Sequence, residues 1–322
     1  MTTTPETMRA LRLHQRDGAD GLTYEEAAVP SPAVGDVLVR VHAASFTPTE
    51  LAWPSTWVDR SGRDRRPVVP GHEVSGVVVE LGFGTAGLAP GDAVFGITDW
   101  YRDGAAAEYV AVEARNLAPR PRALSHVDAA AVPLAGLTAW QALFVHGALA
   151  ADERVLVLGA GGGVGTLVVQ LARRAGGHVV GAGRPWSRDL ALSLGAREFV
   201  DVSGSRLEDV EPVDLVVDAA GGELLERSWS TLRPGGRLVS VTQPPDPAAA
   251  ERVGVGSGYF VVEPDRAQLN ELARLIDEGE LRPVVGQVLD LGDGAEAFQA
   301  KQGHGIPGKV VLRVVAADGG EP

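Results

Sequence analysis

Leu158-Gly-Ala-Gly-Gly-Gly-Val-Gly165 is the stretch that decides the fold. It follows Arg154-Val-Leu-Val-Leu158, a continuous apolar run of the kind a strand buried on both faces shows. After it, Val164, Leu167, Val168, Leu171 and Ala175 recur at helical spacing. A glycine turn between a strand and a helix lets the backbone approach a pyrophosphate. The helix N-terminus then supplies unpaired N–H donors and partial positive charge. Counted strictly, the loop reads Ala160-x-Gly162-x-x-Gly165, with alanine at the first glycine position.

Outward from this turn, short apolar runs recur at residues 178–182, 198–202, 214–219, 237–242 and 259–262, with helical segments between most of them. One such segment, 189–196, carries Gly195 as its expected C-cap. Strands alternating with helices predict a parallel, doubly wound sheet, so the fold class is α/β. The first third differs. Short Val-rich segments at 8–14, 36–45, 73–82, 92–98 and 106–112 are separated by Pro, Gly and Asp, which predicts a β barrel or sandwich. Near the end, residues 265–279 read as a helix with Asp265 and Gln268 in capping-box spacing, and 308–315 as a closing strand.

The 322 residues suit two cores rather than one. No apolar run is long enough to span a membrane, and the first residues have no apolar signal region. A formal charge of −13 argues against nucleic acid as a partner. Cysteine is absent, which excludes disulfides, thiolate–zinc sites and a cysteine nucleophile, and fits a reducing cytoplasm.

The choice of dinucleotide turns on the end of the second strand of the α/β region. NAD-binding versions place a carboxylate there to accept from the ribose 2′-OH. This chain has Gly183-Arg184-Pro-Trp-Ser187-Arg188, with no acid before Asp189. A guanidinium pairs with a 2′-phosphate in a fork, whereas a carboxylate repels it. Arg184 is therefore the expected reader of the NADP phosphate, with Ser187 and Arg188 in support.

Taken together, Val41-His-Ala-Ala-Ser-Phe-Thr-Pro-Thr-Glu50, Pro70-Gly-His-Glu-Val-Ser-Gly76, Leu88-Ala-Pro-Gly-Asp92, Leu134-Ala-Gly-Leu-Thr-Ala139, the glycine turn, Leu232-Arg-Pro-Gly-Gly236 and Gly308-Lys-Val-Val-Leu312 resemble the medium-chain dehydrogenase/reductase superfamily. Within it, the chain is similar to the zinc-independent quinone oxidoreductases. The resemblance implies a GroES-like β-barrel catalytic domain from residues 1–126 and 264–322. It implies a Rossmann doubly wound parallel-sheet domain at 127–263, with NADPH in a cleft between the two and a homodimer as the assembly. It carries over Thr138, Ala160, Gly161, Gly162, Gly163, Val164, Gly165, Gly183, Arg184, Asp218, Ala219, Ala220, Ser240, Val241, Thr242, Phe260, Val261, Val262 and Lys309 as lining the cofactor groove.

Zinc-dependent relatives need a thiolate from the segment that here reads 44–50, and none is present. His72 and Glu73 are therefore expected to make structural hydrogen bonds. No metal is expected. An electrophilic quinone or α,β-unsaturated carbonyl needs no zinc to accept hydride, so such a small molecule is the expected substrate. A zinc-independent alcohol or carbonyl dehydrogenase and a non-catalytic NADPH-binding protein are the alternatives. Thr47, where relatives often have Asn, and Tyr101 are the candidate catalytic residues, Thr47 as a hydroxyl donor to a carbonyl or to the nicotinamide amide and Tyr101 as a proton donor. Trp53 and Trp57 are the candidate apolar wall, and the basic run 60–66 is a surface loop or a contact for an acidic substrate tail.

Overall fold

The computed structural model describes residues 4–204, 207–302 and 305–315. They form two compact units. The first draws its described residues from Met1–Leu134, Pro264–Asp277 and Val285–Pro322, the second from Ala135–Glu263 and Glu278–Val284.

The first unit holds β1 (Thr7–Leu13), β2 (Leu22–Ala28), β3 (Asp36–Ser45), β4 (Glu73–Leu81), β5 (Ala93–Ile97), β6 (Tyr109–Glu113) and β7 (Leu117–Pro119). The second holds β8 (Arg154–Leu158), β9 (His178–Gly183), β10 (Glu198–Asp201), β11 (Val213–Asp218), β12 (Leu232–Ser240) and β13 (Gly256–Tyr259). Two further strands, β14 (Val285–Asp290) and β15 (Lys309–Arg313), return to the first unit.

In the first unit, β14-β15-β3-β4-β5-β7 form one sheet in that order, and β6 also pairs with β3. Strand β3 is long enough to serve three partners: Asp36–Arg40 lie against β6, most of its length against β4, and Ala43–Ser45 against β15. The β1–β2 hairpin closes on this sheet through bridges Ala10–Ala107 and Leu13–Val68. Inward residues Leu11, Leu13, Val39, Val41, Phe46, Val74 and Phe298 make one apolar core. Phe46 and Phe298 stack with centroids 3.7 Å apart.

The second unit has strand order β10-β9-β8-β11-β12-β13, all parallel. The order reverses direction between β8 and β11. In an open α/β sheet that switch point is where a ligand-binding crevice forms, at the carboxyl ends of the strands. Helix Gly163–Arg174 follows β8 and buries Leu167, Val168 and Leu171. Gly195 ends helix Arg188–Leu194 in the left-handed region, φ 113°, as its spacing predicts.

Some elements depart from the sequence reading. The apolar run 259–262 is not a strand: β13 ends at Tyr259, so Phe260, Val261 and Val262 lie past it. Strand β2, Leu-Thr-Tyr-Glu-Glu-Ala-Ala, has no apolar periodicity because much of it stays exposed. Between the expected boundary at 126/127 and the observed one at Leu134/Ala135, Ala130 and Ala131 pack with Ala43 and Val311 in a small apolar cluster. Segment Glu278–Val284 joins the second unit, where the Gln170 amide holds both backbone groups of Arg282.

Candidate functional site

The glycine turn is tied to its neighbours by backbone bonds. The N–H groups of Gly159 and Ala160 both donate to the Ala182 carbonyl, at 2.9 and 3.1 Å. Gly159 has φ 80° and sits under the Ala219 carbonyl. A Cβ on Gly165 would overlap the Gly159 carbonyl oxygen, so only glycine lets the helix start this close to the strand. A Cβ on Gly161 would collide with Ser187 and press on the Trp186 ring. The N-cap, Gly162, provides no side-chain acceptor, so no side chain caps the helix start at Gly163, Val164 and Gly165. Such a cradle suits a pyrophosphate.

At the end of β9, Arg184 is exposed, and its guanidinium has no hydrogen-bond or ion-pair partner among the described residues. Its backbone is locked instead. The Arg184 carbonyl accepts from both the N–H and the hydroxyl of Ser187, at 3.0 and 2.8 Å. Ser187 is 1% exposed, and its hydroxyl bonds back onto Arg184, so it shapes the corner that presents that residue. Gly183 is required there because a Cβ would stand 2.6 Å from that hydroxyl. Arg188 turns away toward β10: its guanidinium donates to the Phe199 carbonyl at 3.5 Å and lies over the Phe199 ring.

Asp218, at the carboxyl end of β11, is fully buried and fully hydrogen-bonded. One carboxylate oxygen accepts from the N–H groups of Ala220 and Gly221, at 3.0 and 2.8 Å. The other accepts from the hydroxyls of Ser240 and Thr242, both at 2.7 Å. With the Val241 N–H donating to the Asp218 carbonyl, these bonds fasten the ends of β11 and β12. Asp218, Ser240 and Thr242 thus position the loops that carry Ala219, Ala220 and Val241. Beyond β13, Phe260 stacks on His146 at 4.2 Å, Val261 is exposed and Val262 is buried. Gln141 clamps this segment through both backbone groups of Glu263, at 2.8 and 3.1 Å. Thr138 is buried in the helix Pro133–Trp140.

In the first unit the motif residues bond to each other. Lys309 is 7% exposed, ion-paired with Glu73, and donates to the Phe46 carbonyl at 2.9 Å. It is a buried structural cation rather than a groove-lining residue. Glu73 also accepts from the Leu134 N–H at 3.0 Å. Glu50, which carries no role in the sequence reading, is fully buried and accepts from the N–H groups of Thr47 and Gly71, at 2.9 and 2.5 Å. Burial pushes its carboxyl up to about 7, against the two N–H bonds and the Lys309 charge. The Thr47-x-x-Glu50 spacing was the signal for it, a capping-box pattern.

His72 donates to or accepts from Thr98 at 2.7 Å, and Trp53 and Trp100 flank its ring at centroid distances of 6.2 and 5.1 Å. Burial first, then the Arg65 charge, holds it down to about 3, so it stays neutral. Trp53 meets Trp100 edge-on at 5.6 Å. Trp57 is not its partner in a wall: it is 3% exposed, sits in the core, and donates to the Leu51 carbonyl. Tyr101 is half-buried, with the Arg60 guanidinium 4.8 Å above its ring. Each arginine of the basic run has its own carboxylate, in the pairs Arg60–Asp99, Arg63–Asp59, Arg65–Asp103 and Arg66–Asp64. It has no surplus cation for an acidic substrate tail.

These donors do not suit a zinc ion. One nitrogen of His72 is engaged by Thr98, Glu73 is paired with Lys309, and among the described residues no group of three or more metal-ligating side chains converges. The second unit, by contrast, fits a dinucleotide.

Fold and site together define a Rossmann-type dinucleotide-binding protein with an attached β-rich domain. Residues 33–122 match the model of the alcohol dehydrogenase GroES-like domain, and residues 194–312 that of a zinc-binding dehydrogenase. A probable zinc-binding oxidoreductase, mitochondrial, of Arthroderma benhamiae is 32% identical, covering 98% of this chain and 99% of that protein. An NADPH-dependent alkenal/one oxidoreductase, chloroplastic, of Arabidopsis thaliana is 31% identical, covering 96% and 80%. Among solved structures, the quinone oxidoreductase from Coxiella burnetii has a TM-score of 0.89 at 27% identity, covering 96% of this chain and all of that one. The chain belongs to the medium-chain dehydrogenase/reductase superfamily and is an oxidoreductase that uses a nicotinamide cofactor.

Proposed function

We propose that this enzyme is an NADPH-dependent, zinc-independent reductase of quinones or α,β-unsaturated carbonyl compounds. The observation that carries the cofactor choice is the exposed guanidinium of Arg184 at the end of β9, without a partner among the described residues, where an NAD-type site has a carboxylate. Bound at the glycine turn, NADPH supplies the hydride. The chain's own residues fix the turn, keep the phosphate reader open and hold the loops at Asp218. Zinc independence rests on the donor chemistry around His72 and on a chain without cysteine. The relatives named for alkenal/one reduction and quinone oxidoreduction support the acceptor class.

An electrophilic carbon conjugated to a carbonyl accepts hydride without a Lewis acid. The Trp53–Trp100 corner, beside a neutral His72, offers apolar contact to such an acceptor. The enzyme is read as a homodimer, which light scattering tests. The reaction is tested by NADPH oxidation across quinones, short enones and saturated carbonyls, with metal analysis of the same preparation. Turnover of quinones or enones without bound zinc supports the reading. Turnover confined to alcohols and saturated carbonyls would reverse it in favour of an alcohol dehydrogenase.

A further inference from the structure

Far from the glycine turn, the second unit carries an open, solvent-facing pocket of about 450 Å³. Gln170, Arg173 and Arg174 line it from helix Gly163–Arg174, Ser193 and Leu194 from the next helix, and residues 279–282 complete the lining. Arg173 lies ~15 Å along the helix axis from its glycine start, at the 1.5 Å rise of an α-helix. This is not the nucleotide site.

The cavity is built rather than incidental. Its floor is the buried amide of Gln170, which donates to the Arg282 carbonyl and accepts from the Arg282 N–H, both at 3.0 Å. That fixes where the Arg282 side chain departs. Arg173 is placed by Gly195, where a Cβ would overlap the Arg173 stem, so glycine leaves the guanidinium its path. Arg174 is ion-paired with Glu280. Among the described residues, Arg173 and Arg282 have no acceptor for their guanidiniums. Three cations and one carboxylate therefore surround the cavity, a local surplus of positive charge on a chain whose formal charge is −13.

We infer that Arg173 and Arg282 form a binding site for a small phosphate monoester. Guanidiniums present paired N–H donors that match phosphate oxygens in a fork. A phosphate monoester carries close to two negative charges at neutral pH, which matches the surplus. The volume lies within the range of small-ligand pockets, roughly 300–1,000 Å³, and leaves room for an organic portion over Leu194 and Leu281. A purely dipole-balancing role accounts for Arg173 and Arg174 at a helix C-terminus, but not for Arg282, which lies outside that helix.

The test is calorimetric titration of β-glycerophosphate into the enzyme with NADPH present, which keeps the ester off the glycine turn. One saturable site is expected, weakened at least tenfold in each of Arg173→Ala and Arg282→Ala, with NADPH affinity within twofold of wild type. Glu280→Gln releases Arg174 and is expected to tighten the ester at least threefold, a gain that a folding defect does not produce. No saturable binding would overturn the inference. So would loss in only one arginine variant, an unchanged or weaker Glu280→Gln, or equal binding of succinate.

Discussion

The polar groups of the family motifs behave oppositely in the two units. Around β3 and β4, Glu50, Glu73, Lys309 and His72 are each 7% exposed or less, and their hydrogen bonds run to one another, to nearby backbone or, for His72, to the Thr98 hydroxyl. Around the carboxyl ends of β8 and β9, the helix start has no side-chain cap and the Arg184 guanidinium has no partner among the described residues. The same kind of residue, a charged group within a recognisable motif, holds structure where it is buried and paired and awaits a ligand where it is open. Asp218 lies between these cases: it is buried and fully paired, yet its four bonds set the loops beside the turn.

Substitutions that break this contrast should separate stability from cofactor affinity. Lys309→Met removes the cation from between two buried carboxylates. Leaving buried charge unpaired costs about 3–5 kcal/mol, so chemical denaturation should show a loss of that size. NADPH affinity should be unchanged; a selective loss of NADPH binding would restore Lys309 to the cofactor site.

Glu50 gives a pH signature. Its folded pKa is about 7 against an ordinary 4.5, so the folded chain keeps this proton where the unfolded chain releases it. The contribution is full below about 4.5 and is lost as pH rises through about 7, a change of about 3 kcal/mol at 1.36 kcal/mol per unit. Glu50→Gln should remove that slope from the difference between variant and wild-type stability curves. Parallel curves across this window would contradict the burial argument.

The third substitution acts on the open side. Gly165→Ala drives a methyl into the Gly159 carbonyl, an overpacking that costs roughly 1–3 kcal/mol. Both NADPH and NADH should weaken, because the turn serves the part the two cofactors share. Full retention of both affinities would mean that the turn is not the cradle.

Much of this is legible in the sequence. The run at 154–158, the glycine turn and the regular apolar intervals specify the parallel sheet, because a strand buried on both faces admits few other residues. The Gly195 cap and the Asp265 cap, which accepts from the Gln268 N–H at 3.0 Å, were readable for the same local reason. What the sequence hid depends on long-range partners. Lys309 meets Glu73 across 236 positions (309 − 73), and no local spacing announces that pair. Trp57 and Trp53 look alike four residues apart, yet one lies in the core and the other against His72. Trp100 was missed because its neighbours in space, Trp53 and His72, are distant in sequence. The turn of the Ser187 hydroxyl back onto the Arg184 carbonyl is likewise visible only in the fold.

The most direct test of the open-guanidinium claim is the pair of dissociation constants for NADPH and NADH, measured on wild type and Arg184→Ala. A hydrogen bond to a charged group contributes about 1.5–3 kcal/mol, so NADPH should weaken by roughly ten- to a hundredfold while NADH changes little. Equal loss for both cofactors, or a wild type that prefers NADH, would contradict it.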